Sequence, residues 1–212
     1  MPAKKLIVVP GYLSCKNGEL GANKVVLDKA VDLFNKFSKG KDEVYILLPA
    51  AISDDTRENK PLIFERQEAY LLDCMIPSTR ILTSAKYIPS DTWTEVMVTH
   101  TICRDADHLK GECFEIHAIG FFPHSLKVAG CWRRIKSYFP EFFKKYCNKI
   151  RVYHRVGSAG SLKETIRVLV VCFASTINGL YDIRGEFRLA RKIKERRRDE
   201  YTPKNLQHKV LF

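Results

Sequence analysis

The chain has 212 residues and a mass of 24.4 kDa, with 45% hydrophobic and 28% charged residues. This composition is enough for one globular domain with a substantial core, and it excludes a wholly disordered chain. The chain has only 11 glycines and 9 prolines and no internal repeat, which excludes collagen-like and solenoid architectures. The formal net charge of +12 leads us to expect an anionic partner.

The positive charge is concentrated in two segments of the C-terminal third. Residues 133–151, from Arg133 to Arg151, hold seven basic side chains and one acidic side chain. Residues 184–198, from Arg184 to Arg198, hold eight basic and two acidic side chains. Each segment therefore carries +6 and the rest of the chain is neutral, so an electrostatic partner is expected to meet this third.

The cysteines and the N-terminus predict a reduced, cytoplasmic protein. The seven cysteines form no C-x-x-C pair, and their odd number argues against a disulfide framework. The N-terminus has no signal-type apolar segment. The longest uncharged apolar-rich run, residues 168–181, is shorter than the roughly 20 residues that span a bilayer. We therefore expect no transmembrane segment.

Strand-like and helix-like segments alternate along the chain. The apolar, β-branched run at residues 6–10 predicts a strand covered on both faces. Apolar residues at helical spacing then predict a helix that Asn23 caps and Gly40 ends. Similar reasoning predicts further strands at residues 44–48, 80–83, 112–119 and 149–153, and further helices starting near residues 61, 90, 123 and 161 and within 184–200.

Five such alternations are typical of a three-layer α/β, Rossmann-like fold with a mainly parallel sheet of about five strands. No linker composition divides the chain. We predict one domain, residues 1–200, followed by a C-terminal tail, residues 201–212.

The loop after the first strand is a candidate ligand-binding loop, since ligands of parallel sheets bind at the carboxyl ends of the strands. Its residues Gly11 and Tyr12 precede a helix, so backbone N–H groups there are suited to a phosphate or carboxylate. The loop contains neither G-x-G-x-x-G nor a Walker sequence. An ordinary connection between strand and helix is the alternative interpretation.

The segment from Ser90 to Glu95 is the densest polar cluster. Asp91 or Thr92 can cap the following helix, and Thr92 with Glu95 fits a capping box. The hydroxyls of Ser90 and Thr92 are also suited to an oxyanion at the end of a strand. Both interpretations hold together, because a capped helix N-terminus can face a ligand.

His124 follows the fourth predicted strand. A histidine there can act as a general acid or base near pH 7, or bind an anion when protonated. Lys127 adds positive charge on the same helical face. A packing or capping histidine is the alternative. Glu65 is a further candidate carboxylate. We predict no metal site, since the His and Cys residues lack zinc-ligand spacing.

Each basic segment permits two interpretations. The segment at residues 133–151 interleaves cations with five aromatic residues, which suits either base stacking in nucleic acid or an amphipathic helix that packs on the sheet. The segment at residues 184–198 predicts a basic helix that contacts nucleic acid or an acidic membrane surface. A solvated helix face is its alternative.

Five short motifs carry a family resemblance. They are LIVVPG at residues 6–11, FERQEAYLLDCMIP at 64–77, SDTWTE at 90–95, FFPHSLK at 121–127 and SLKET at 161–165. In this order they resemble a first strand with its Gly-containing turn, a Glu-bearing second helix, a Ser-x-Asn-Thr-x-Glu-Asn helix start, a Ser-x-x-His-x-x-Arg turn and an Arg-Glu-containing helix start. The chain thus resembles the YdcF/SanA/ElyC-like domain-of-unknown-function family, with Glu65 matching the glutamate of the second helix.

The resemblance implies a Rossmann-like fold and a pocket for a small, phosphorylated or nucleotide-like ligand. Ser90, Thr92, Glu95 and His124 would surround that ligand. One subgroup of the family is associated with S-adenosylmethionine, which the resemblance therefore adds as a candidate cofactor.

Residues and resemblance together lead us to expect a protein that binds a small anionic ligand, with hydrolase or transferase chemistry as the candidate activity. Gly11 and the hydroxyls of Ser90 and Thr92 would hold the anion. His124 would act as acid or base, oriented by a glutamate at position 65 or 95. The alternative is a nucleic-acid-binding or interaction protein that uses the basic C-terminal third.

Overall fold

The computed structural model describes residues 4–12, 20–49, 63–83, 92–105, 114–157 and 161–184. Ser90 and Asp91 lie outside these ranges, as do the predicted basic helix beyond residue 184 and the predicted tail at 201–212.

The strands of the described ranges form a five-stranded parallel sheet in the order β3-β2-β1-β4-β5. Their bounds are Lys4–Val8 for β1, Glu43–Leu48 for β2, Ile81–Thr83 for β3, Phe114–Phe121 for β4 and Cys147–Arg155 for β5. The central strands are apolar and β-branched because both of their faces are covered. The prediction of a three-layer, Rossmann-like α/β fold is confirmed.

The helices cover the two faces of this sheet. Their bounds are Ala22–Lys39 for α1, Ile63–Asp73 for α2, Thr92–Asp105 for α3, His124–Tyr138 for α4, Pro140–Tyr146 for α5 and Leu162–Arg184 for α6. α1 and α2 pack on one face, where α6 joins them, and α3, α4 and α5 pack on the other. The helix predicted from residue 123 is interrupted before Pro140, because proline in a helix interior lacks the N–H that the helix needs.

The alternation of side chains along β1 builds both cores. Ile7 and Val9 pack against α1, while Leu6 and Val8 pack on the opposite face, which contains the fully buried Trp132 of α4. Within the described residues, no helix combines the length and hydrophobicity that spanning a membrane requires.

Gly120 lets the start of α4 approach the end of β4. A Cβ at this position would lie 2.7 Å from Cα of Ser125. Real Cβ atoms do not tolerate this distance, so a glycine is required for the first turn of α4 to pack directly on the strand. This close packing places His124 at the carboxyl edge of the sheet.

Candidate functional site

The order of the strands defines the point in the fold where a ligand is expected. From β1 the chain proceeds through β2 to β3 on one side, then returns to β4 and β5 on the other side of β1. In open α/β sheets such a reversal leaves a crevice at the carboxyl ends of the two strands involved. Here these strands are β1 and β4.

Three side chains form a hydrogen-bonded chain across this edge. Oη of Tyr12, which follows β1, lies 3.1 Å from Nδ1 of His124. Nε2 of His124 lies 2.7 Å from Oγ1 of Thr92, the first residue of α3. Each side chain is at most 7% exposed. The structure therefore brings together residues from three separate parts of the chain that the sequence had placed at one edge.

Tyr12 can supply the hydrogen for the contact with His124. Its hydroxyl oxygen accepts the backbone N–H of Phe121 at 2.7 Å, and its own hydrogen is available to Nδ1 of His124. In the tautomer that matches this donation, the hydrogen of the neutral imidazole is on Nε2 and is donated to Thr92. Burial raises the pKa of Tyr12 well above 10, with the N–H of Phe121 opposing this shift, so the hydroxyl keeps its hydrogen.

His124 is uncharged at neutral pH. Burial first, and the charge of Lys127 second, lower the pKa of His124 from 6.5 to about 3. Lys127 lies less than one turn further along α4 and is partly buried. The expectation that a protonated imidazole binds an anion is therefore not supported by this environment. A role of His124 in proton transfer stays a prediction.

Glu95 connects α3 to the turn after β1. Its Oε1 accepts the backbone N–H of Gly11 at 3.0 Å, and the side chain is 6% exposed. The sequence assigned this N–H to an anionic ligand, whereas the structure pairs it with a carboxylate. A buried carboxylate requires donors, and the turn supplies one. Glu95 therefore lies in the site as a hydrogen-bond acceptor whose position the Gly11 N–H fixes.

Asn23 of α1 bonds to Tyr12 and Leu20, the described residues on either side of the segment 13–19. Its Oδ1 accepts from the N–H of Tyr12 at 2.8 Å and from Nε2 of Gln67 at 3.1 Å. Its Nδ2 donates to the carbonyls of Tyr12 and Leu20 at 2.7 and 3.1 Å. The prediction that Asn23 is the N-cap is wrong, because Gly21 occupies that position with a left-handed φ of 53°.

α2 directs Gln67 toward this site, while Glu65 lies on its exposed side. Gln67 is fully buried and donates from Nε2 to the carbonyl of Pro10 at 3.1 Å. Residues two apart on a helix point about 200° away from each other, so only one of the two can face the sheet. The expected role of Glu65 is therefore not supported by its placement. The i, i+4 spacing of Ile63, Gln67 and Leu71 is the sequence signal that identifies the buried face.

Cys172 of α6 lies against the start of α4. Burial raises the pKa of Cys172 to about 11, although a hydrogen bond from the backbone N–H of His124 lowers it in part. The thiol is therefore protonated at neutral pH. Because the thiolate is the nucleophilic form, Cys172 is a packing residue of the site rather than a nucleophile.

A second pair of polar side chains, which the sequence did not single out, joins α4 to β5. Oγ of Ser125 lies 2.7 Å from Nδ1 of His154. Ser125 is fully buried and His154 is exposed. This pair holds the first turn of α4 against the end of β5, and its hydroxyl is not accessible to a substrate.

Phe139 and Phe143 of the first basic segment pack inside the protein, whereas Tyr138 is 46% exposed. Phe139 stacks on His100 of α3 with ring centroids 4.4 Å apart, and Phe143 is 3% exposed. Since these rings are packed, the structure favours the amphipathic-helix interpretation for them. Among the described residues, no group of three His, Cys, Asp or Glu side chains is arranged to hold a metal ion.

No protein-family model, no curated protein and no solved structure matches this chain. The resemblance to the YdcF/SanA/ElyC-like family therefore depends on the five short motifs alone.

Proposed function

We propose that this protein binds a small anionic or nucleotide-like ligand in the crevice at the carboxyl ends of β1 and β4. The observation that carries the proposal is the buried chain of Tyr12, His124 and Thr92 at the switch point of the sheet. Buried polar side chains that are fixed at such a position are the usual framework of a ligand site in this fold.

The groups at this edge match the phosphate and the sugar hydroxyls of a nucleotide-like or sugar-phosphate ligand. The first turn of α3 has backbone N–H groups and a positive helix-dipole end, which favour a phosphate, whereas the first N–H of α4 is already bonded to Cys172. Because His124 donates to Thr92, the hydroxyl hydrogen of Thr92 is directed away from the imidazole and is suited to a ligand oxygen. Glu95 is an acceptor for ligand hydroxyls. S-adenosylmethionine and phosphorylated metabolites are the candidates that the YdcF-like resemblance adds.

Hydrolase or transferase chemistry is the activity that we propose for this site. A neutral imidazole with a lowered pKa serves as a hydrogen-bond donor that stabilises developing negative charge. His124 would act in this way through Thr92, with Tyr12 holding the required tautomer. Glu95 would position the ligand and the Gly11 turn, while Lys127 would add positive charge at the start of α4.

A thermal-shift screen with nucleotides, sugar phosphates and S-adenosylmethionine tests the proposal. A ligand at about 100 times its dissociation constant stabilises the folded state by about 2.7 kcal/mol. We expect at least one compound class to raise the melting temperature, and Thr92→Val to remove most of that increase while leaving the unliganded protein folded.

Thr101→Val is the matched control, because Thr101 also lies on α3 but its hydroxyl donates to the carbonyl of Met97 at 3.1 Å. The control should keep the ligand-induced increase. Absence of a shift with every compound class, or equal shifts in the Thr92 variant and the wild type, would contradict the proposal.

A nucleic-acid-binding function through the basic C-terminal third is the second candidate. In residues 133–151 the exposed cations are Arg133, Lys136, Lys144, Lys145, Lys149 and Arg151. Such binding releases counterions, so its affinity should fall steeply as salt is raised. Fluorescence anisotropy with labelled RNA and DNA at low and high salt separates this function from a small-ligand site, because the salt dependence grows with the number of phosphates contacted and a small ligand carries few.

A further inference from the structure

One face of α6 presents a row of apolar side chains to solvent. These residues, called here the α6 stripe, are Leu162, Ile166, Val170, Phe173 and Ile177, which are 77%, 52%, 62%, 60% and 53% exposed, respectively. They follow each other at steps of four and three residues, so they share one side of the helix. The side about a third of a turn round the helix from this row is packed on the protein through Val168, Cys172 and Thr176.

The α6 stripe is a contiguous apolar patch. Isolated exposed apolar side chains are common in soluble proteins and need no partner. Five contiguous side chains, each more than half exposed, present on the order of 500 Å² of apolar surface, which is the size of the largest patch on a typical monomer, and such a patch is often functional. A partner that covers this surface is therefore expected.

We propose that a second copy of this chain covers the α6 stripe, so that two α6 helices pack against each other across a two-fold axis. The spacing of Ile166, Val170, Phe173 and Ile177 alternates between four and three residues, which is the repeat that lets two helices interdigitate. An interface of this kind is self-complementary, as a symmetric dimer requires.

The charge distribution along α6 supports this occupant. Residues 168–181 contain no charged side chain, so two copies can meet along this length without burying a charge. A helix that lies in a membrane surface instead carries Lys or Arg along the borders of its apolar face. The central part of α6 lacks such residues, which favours a protein surface over a lipid surface.

The area of the stripe is compatible with a specific dimer. Two stripes would bury together about 1,000 Å², which is the lower limit for a specific protein interface, before neighbouring side chains are counted. The expected dimer is therefore one that dissociates on dilution. Its formation does not depend on the ligand site proposed above.

Sedimentation velocity of the full chain over a wide range of concentrations tests the proposal. We expect a monomer–dimer equilibrium whose dissociation constant rises roughly tenfold or more in Phe173→Glu, because a charge would be buried at the centre of the interface. Ile177→Ser is a second, milder variant. Met75→Glu is the matched control, since Met75 is 86% exposed and lies on a different part of the surface; its dissociation constant should equal that of the wild type.

Circular dichroism establishes that each variant keeps its helical content. A wild-type chain that is monomeric at every concentration would overturn the proposal, as would an unchanged dimer in both stripe variants. Flotation with phosphatidylserine vesicles tests whether the stripe binds lipid instead. Binding to vesicles that is lost in Phe173→Glu, in a protein that does not dimerise, would assign the stripe to lipid and also overturn the proposal.

Discussion

Lowering the pH from about 7 to about 5 is expected to reduce the free energy of unfolding by about 4 kcal/mol, with about 2 kcal/mol from each of two buried histidines. The first is His124, whose pKa is lowered from 6.5 to about 3. The second is His117 in β4, whose pKa is lowered from 6.5 to about 4. Both side chains are at most 7% exposed.

The environments of the two histidines explain why they remain neutral in the folded state. The ring of His124 has the neutral hydroxyls of Tyr12 and Thr92 as its hydrogen-bond partners among the described residues, and Lys127 opposes a positive charge. For His117, burial is the largest cause. The carboxylate of Glu115, with Oε2 3.2 Å from Nε2, opposes this shift, and Lys5 adds to it.

The sign of the effect follows from the two states. Below about pH 6.5 the histidines of the unfolded chain bind protons, while those of the folded protein stay neutral until the pH approaches 4 and 3. Stability from this source is therefore complete above pH 6.5 and falls as the pH falls. Glu43 and Glu115, whose pKa values are lowered from 4.5, add a further loss of stability as the pH falls below about 4.5.

Urea denaturation at a series of pH values measures this dependence. His117→Gln and His124→Gln should each remove about half of the loss between pH 7 and 5. His154→Gln removes an exposed histidine and is the matched control, with the dependence of the wild type expected. Equal free energies of unfolding at pH 7 and pH 5 in the wild-type protein would show that the two histidines are not buried as described.

The order of the elements was predictable from the sequence mainly because two central strands, β1 and β2, coincide with continuous apolar runs. Residues 6–10 and 44–48 have few polar side chains, and only a strand covered on both faces accommodates such a run. Strand β4 was harder to delimit. Its prediction ended at residue 119, while the strand continues to Phe121, because Gly120 and the approach to Pro123 resemble a turn in the sequence.

The candidate site was partly predictable for a topological reason. Parallel strands end at the same edge, so polar residues that follow β1 and β4 are brought together whatever their separation in the chain. Tyr12 and His124 are an example, although 112 residues separate them. Which atoms pair was not predictable. The rotation of α2 selects Gln67 over Glu65, and the partner of the Gly11 N–H is Glu95.

Asn23 shows how a residue with a correct local interpretation can have a different tertiary role. Asparagine near the start of a helix is most often a cap, and local sequence contains no sign of another use. In the structure Gly21 is the N-cap of α1. The amide of Asn23 is instead fully buried, and it bonds to Tyr12, Leu20 and Gln67. The long-range contact with α2 decides its role, and such contacts are not encoded in a short window of sequence.

Replacement of Asn23 by alanine is expected to reduce the free energy of unfolding by about 3–5 kcal/mol. The amide uses both donors and both acceptor positions. Its removal leaves the backbone N–H and carbonyl of Tyr12 and the carbonyl of Leu20 without this partner. Each buried polar group that loses its hydrogen bond costs about 1–3 kcal/mol.

Urea denaturation of Asn23→Ala tests this expectation, with Asn35→Ala as the matched control. Asn35 lies on the same helix but is exposed, so the control should change stability by less than about 0.5 kcal/mol. Asn23→Asp directs a buried carboxylate oxygen at the carbonyls of Tyr12 and Leu20, so this variant should lose at least as much stability as Asn23→Ala. If Asn23→Ala and Asn35→Ala had equal stability, the amide would not hold the turn. Because that turn carries Tyr12 and the Glu95-bound Gly11, a loosened turn in Asn23→Ala should also weaken any ligand-induced increase in melting temperature.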